Sequence, residues 1–114
     1  MGGQGLDLHP YLMSLRERRA QTHDSVNAEI LEEKAAALAR VARRFEEALA
    51  ALHALEAEPA ADAGRRSELL DAAGEALWCF VVQREAMGQR EHRHVMEAYR
   101  IPPEVRRRMR PRRR

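Results

Sequence analysis

Cysteine, tryptophan and lysine each occur once in this 114-residue sequence, and only four further aromatic residues accompany the tryptophan. With Cys79 alone, no disulfide forms within the chain. Its neighbours Trp78 and Phe80 mark it as an inert buried thiol in an apolar setting, with no base or cation at hand to activate it as a nucleophile. The six glycines fall mostly at the start of the chain and between segments, so no Gly-rich phosphate loop and no nucleophile elbow is present. No apolar run reaches the roughly 18 residues that a membrane span needs. No charged, apolar and then small-residue leader opens the chain, so the expectation is a cytoplasmic protein without membrane attachment. These absences together argue against an enzyme and leave no cofactor to expect.

What is abundant is Ala, Leu, Glu and Arg, the residues that favour helices. The expectation is an all-α protein: a small helical bundle with one long N-terminal amphipathic helix, a second buried helix and one or two short C-terminal helices. The formal charge of +2 conceals a division. Residues 1–99 carry twelve basic against seventeen acidic side chains, whereas residues 100–114 carry eight arginines and one glutamate. An acidic body bears a basic tail.

Along the chain, residues 1–24 read as a flexible arm, residues 25–109 as the helical domain and residues 110–114 as a disordered basic tail. In the arm, Gly2, Gly3 and Gly5 oppose order. His9-Pro10 starts a short helix whose apolar edge is Leu8, Leu12 and Leu15. The first long helix is expected over 25–57, capped by Asp24 or Ser25 and stopped before Pro59. Leu31, Leu38, Phe45 and Leu52 form one apolar row, Val41, Ala48 and Leu55 another, and Ile30 and Leu49 widen the stripe. A connection over 58–66 leads to a second helix over 67–87, closed by Gly88. Leu69, Leu70, Ala73, Leu77, Phe80 and Val81 form its inner face, while Trp78 and Val82 fall to one side. A third helix over 89–100 brings Val95, Met96 and Tyr99 to the core. Ile101-Pro102-Pro103 ends it, and Pro103 starts a last turn with Val105 and Met109. At 1.5 Å per residue the first helix spans roughly 50 Å and the second roughly 30 Å. One cannot cover the other, which favours a homodimer by antiparallel pairing of the long helices, unless the arm and the third helix cover the excess.

Three constellations invite a chemical reading. Glu91 and His94, with His92 between them, have the Glu-x-x-His spacing of di-iron carboxylate bundles. The second such pair and the two further carboxylates are missing, His53-x-x-Glu56 has the reverse order, and His92-x-His94 lacks the i, i+4 spacing of helical zinc ligands. No metal is expected. Gln83, Arg84 and Glu85 adjoin the apolar run Leu77–Val82. With Trp78 and Val82 they form a candidate interaction surface for an unidentified protein partner. The plainer reading has the helix emerging into solvent there, with Arg84 paired to a carboxylate on the first helix. Arg106, Arg107, Arg108, Arg110, Arg112, Arg113 and Arg114 are candidate contacts to phosphates or another anionic surface, by salt-sensitive and sequence-blind binding. No aromatic residue is interleaved for base stacking, and Pro102-Pro103 make a poor turn for a helix-turn-helix. The leading expectation is therefore a non-enzymatic protein–protein interaction module. A nucleic-acid-associated accessory protein using the Arg-rich tail is the alternative.

Glu33-Lys34-Ala35, Glu75-Ala76-Leu77-Trp78, Val82-Gln83-Arg84-Glu85, Tyr99-x-Ile-Pro-Pro-Glu-Val-Arg and Arg108-Met109 together resemble an uncharacterised family of short bacterial proteins, over about residues 30–109. The resemblance implies an all-helical fold and supplies no activity, cofactor or catalytic residue. It also implies a glycine after Arg108-Met109, where this chain has Arg110.

Overall fold

The computed structural model describes residues 9–112, with side chains at 14, 15, 17, 18 and 21–112. Four helices follow one another: α1 (His9–Glu56), α2 (Ala63–Ala86), α3 (Arg93–Ala98) and α4 (Pro103–Arg107). The described residues contain no strand, so the all-α expectation holds. The chain divides into two compact units, Met1–Glu33 and Lys34–Arg114.

In the first unit the described chain is helical from His9 onward. The helix start at His9-Pro10 and the separate start at Ser25 are thus one element. Pro10 sits in the first turn, where its missing N–H costs nothing. Asp24 and Ser25, read as a cap, are instead exposed positions inside the helix. The Thr22 hydroxyl donates to the Arg18 carbonyl at 2.9 Å, and Asn27 meets His23 Nδ1 at 3.1 Å, both one turn apart. Every described side chain from Gln21 to Glu33 is exposed, including Val26, Ile30 and Leu31 at 48%, 44% and 61%. The expected apolar edge Leu8 and Leu12 lies outside the described side chains.

The second unit holds the core. Phe45, Leu49 and Leu52 of α1 meet Leu70, Ala73, Leu77, Phe80 and Val81 of α2, and Val95, Ile101 and Val105 close the cluster. Leu38, Val41 and Ala48 pack at its margin. The i, i+3, i+4 spacing of these positions gives both helices one continuous apolar face. Three rings lock it. Phe45 lies 5.9 Å from Phe80, and Tyr99 stands edge-on to both, at 5.6 and 6.0 Å. Such geometry sets the positive ring edge against the negative face.

Each joint has a local cause. Asp62 caps α2, its Oδ1 accepting from the Gly64 and Arg65 amides at 2.7 and 3.3 Å, so the helix begins at Ala63 rather than at Ser67. At the other end Gly88 takes φ +82°, the Gln89 amide reaches the Arg84 carbonyl and the Gly88 amide reaches that of Glu85. This is the paired 6→1 and 5→2 closure that a left-handed residue makes possible. The same closure ends α3, with Arg100 at φ 51° in the left-handed position and Ile101 donating to Met96. Ile101 then buries its side chain, Pro102 forbids continuation, and Pro103 opens α4 at its first position. The turn after α4 comes so close to α2 that a Cβ on Gly74 would collide with the Arg108 carbonyl oxygen. Only glycine leaves room there.

Candidate functional site

The last turn of α2 carries the most unusual side chain of the described structure. Arg84 is 8% exposed, the one charged residue buried among the described residues. Helical spacing accounts for this: Arg84 follows Leu77 and Phe80 by seven and four residues and so shares their inward face. Its guanidinium carbon lies over the Phe80 ring, 6.0 Å from the ring centre. Nε donates to His92 Nδ1 at 3.2 Å and Nη2 donates to the Glu91 carbonyl at 2.9 Å. No carboxylate lies within ion-pair distance of it among the described residues. The expected partner on the first helix is therefore replaced by two neutral acceptors on the α2–α3 connection.

This bond fixes the His92 ring. A guanidinium only donates, so Nδ1 is the acceptor and the ring proton sits on Nε2. From there it donates to Glu85 Oε1 at 3.2 Å. Glu91 turns its Oε1 to the Arg93 amide at 2.7 Å and so secures the start of α3. Arg84, Gly88, Gln89, Arg90, Glu91 and His94 line an open cleft of about 510 Å³.

The first half of α2 uses arginine differently. Arg66 grips Glu104 through both terminal nitrogens, at 3.0 and 3.1 Å, with Glu56 at 3.7 Å. The hydrogen bond from Arg66, and then its charge, hold the Glu104 carboxyl below its ordinary pKa. Arg108 donates to the Ser67 carbonyl, the Ser67 hydroxyl and Asp71, and Arg110 reaches Asp71 and Glu75. All these ion-pair side chains remain between about a fifth and just under half exposed. Nearby, the Tyr99 hydroxyl donates to Glu46 Oε1 at 2.7 Å. That bond, with partial burial second, raises the phenol's pKa above its ordinary value.

The sequence-derived candidates therefore separate. Trp78, Val82 and Glu85 share one face of α2 by their i, i+4, i+7 spacing; Val82 is 41% exposed and Trp78 half-buried. Gln83 is half-buried, and Arg84 points inward. Of the tail, Arg106, Arg107 and Arg112 are exposed, while Arg108 and Arg110 are folded back on α2. Arg113 and Arg114 lie outside the described residues. Cys79 is a free, half-buried thiol on a cleft of about 240 Å³ shared with Val41, Arg44, Ala48, Ala72, Glu75, Ala76 and Arg112. Glu91 and His94 share only the Arg84 cleft, and no three His, Cys, Asp or Glu side chains among the described residues gather to hold a metal ion. No described helix is long and apolar enough to cross a membrane.

Sequence reasoning missed His92, Glu104 and Ser67 as partners. Glu104 follows Pro103 in the first turn of α4, a position favourable to an acid, which was the available signal. His92 gave none. No curated protein and no solved structure matches the chain. Residues 10–109, nearly the whole helical part with both ends of α2 included, match one family, and the chain belongs to it: the family of unknown function DUF6665.

Proposed function

We propose that this protein is a non-enzymatic helical interaction module, cytoplasmic and homodimeric, whose other partner is a protein. The observation that carries the reading is the exposed apolar row of Val26, Ile30 and Leu31. Leu31 extends toward the chain start the seven-residue row that Leu38, Phe45 and Leu52 continue in the core, and Val26 and Ile30 stand one turn apart beside it. Three large aliphatic side chains within two turns of one helix, each more than two-fifths exposed, lose water contact when a second copy pairs with them. Val82, beside Trp78 on α2, offers a smaller surface for a further protein. The motifs Glu75-Ala76-Leu77-Trp78, Val82-Gln83-Arg84-Glu85 and Tyr99-x-Ile-Pro-Pro-Glu-Val fit a family signature of structural joints. They span the core of α2, its C-terminal turn and the left-handed closure before α4.

Size-exclusion chromatography with light scattering tests the dimer. The expected result is twice the chain mass for the parent and one chain mass for Leu31→Glu with Ile30→Glu, at unchanged helix content. A parent of one chain mass at all concentrations contradicts it. The nucleic-acid alternative is less favoured because Arg108 and Arg110 are engaged with Asp71 and Glu75. It retains Arg106, Arg107 and Arg112 as exposed phosphate contacts.

A further inference from the structure

The Arg84 guanidinium is a buried cation with no carboxylate in direct contact among the described residues; Glu85 reaches it only through the His92 ring. Its two hydrogen-bonded neighbours, His92 Nδ1 and the Glu91 carbonyl, are neutral. Taking a charge out of water is unfavourable unless an opposite charge or a full set of hydrogen bonds compensates it. Nε and Nη2 are engaged, but Nη1 has no acceptor among the described residues, and no side-chain nitrogen there is both sealed from water and without a partner. The open end of the guanidinium therefore keeps contact with the cleft that Arg84 lines.

The walls of that cleft specify a charge. Arg84 and Arg90 supply two cations, Glu91 supplies one carboxylate already turned to the Arg93 amide, and the His94 ring adds a polar edge. A single negative charge completes the balance. The open Nη1 offers a charge-assisted hydrogen bond, and the single charge required is that of a carboxylate, whereas a phosphate carries closer to two. Gly88, in the left-handed conformation with nothing within 4 Å of its missing side chain, keeps the approach open.

We infer that the Arg84 cleft seats the carboxylate of an acidic side chain from a protein partner, with Arg90 and His94 as secondary contacts. The site rests on the interaction-module reading but not on the dimer, since it lies wholly within the second unit. Its occupant is part of a peptide, because the cleft is open and offers the rest of a ligand solvent and the polar rim of Gln89 and Arg90 rather than an apolar pocket.

The test follows the Arg84 Nε–H and the backbone amides of residues 88–94 by NMR, in the isotope-labelled full chain. The chain is titrated with blocked tetraglutamate and separately with acetate, inorganic phosphate and tetralysine. The expected result is a saturable shift at Arg84 Nε–H with tetraglutamate below about 10 mM. Affinity should fall roughly threefold in Arg90→Gln, an exposed-rim change that leaves the fold intact, and tetralysine should have no effect. Absence of a saturable shift at Arg84, or a shift confined to Arg106 and Arg107, overturns the proposal. So does tighter binding of phosphate, and acetate as tight as tetraglutamate overturns the peptide assignment. A monomeric chain that still binds tetraglutamate removes the dimer and keeps this site; a dimer that does not bind removes this site alone.

Discussion

The two ends of α2 are both held by arginine, and the two arrangements differ in kind. At the first end, Arg66, Arg108 and Arg110 meet four carboxylates at the surface, and the close backbone contact at Gly74 lies beneath them. At the last, one buried guanidinium meets a histidine nitrogen and a carbonyl. Exposed ion pairs contribute little to stability because water and salt compete for both partners. A buried cation without a counter-charge in direct contact gives up more hydration than its hydrogen bonds return unless they are well placed. The first end is therefore fastened by shape, with charge as an accessory. The last end holds a charge in readiness.

The largest expected effect breaks the first end. Gly74→Ala forces its new Cβ against the Arg108 carbonyl, so the turn after α4 must withdraw from α2. Urea unfolding should show a loss of about 2 kcal/mol, as overpacked sites do. A loss within error would mean that the close contact is not what fastens this end.

A smaller effect concerns the two helix closures. Gly88 and Arg100 do the same job at the ends of α2 and α3, but only the glycine does so without backbone strain. Arg100→Gly should raise stability by about 0.5–1 kcal/mol in the same assay, the cost of a left-handed non-glycine residue less the added freedom of the unfolded chain. A loss of stability would show that the Arg100 side chain has a contact of its own.

The smallest effect is electrostatic. Glu104 has its carboxyl pKa lowered in the folded chain, first by the hydrogen bond from Arg66 and then by that residue's charge. Its stabilising contribution is therefore present above the ordinary carboxylate range and is lost as pH falls through the folded value, below 4.5. Thermal unfolding of the parent and of Glu104→Gln should converge as the pH is lowered into that window. Curves that stay parallel would place the acid sensitivity elsewhere.

Much of the fold was legible in the sequence because it depends on neighbours in the chain. The rows through Phe45 and Leu52, the inner face of α2, the Gly88 closure and the Pro103 start all follow from spacing and backbone restriction. The start of α1 was misread because Asp24 and Ser25, good caps where a helix begins, are also tolerated on an exposed helix face. The site was less legible. Arg84 lies eight residues from His92, across a connection whose path no local rule dictates, and Arg108 lies 37 residues from Asp71. The run Gln83-Arg84-Glu85 announced a polar group beside the core, but only the folded connection shows that it meets a carbonyl and an imidazole instead of an acid on α1.

The central claim is that Arg84 is kept for what it binds rather than for what it stabilises. Arg84→Met keeps an unbranched apolar side chain at this buried position and removes the charge. Paired measurements of urea stability and tetraglutamate binding, the latter read at the amides of Gly88, Gln89 and His94, test the claim directly. The expected result is stability within about 1 kcal/mol of the parent, the net worth of ordinary hydrogen bonds, with the binding shifts abolished. A variant that unfolds while Arg90→Gln binds tetraglutamate as tightly as the parent would contradict it and make Arg84 a structural residue of the α2–α3 joint.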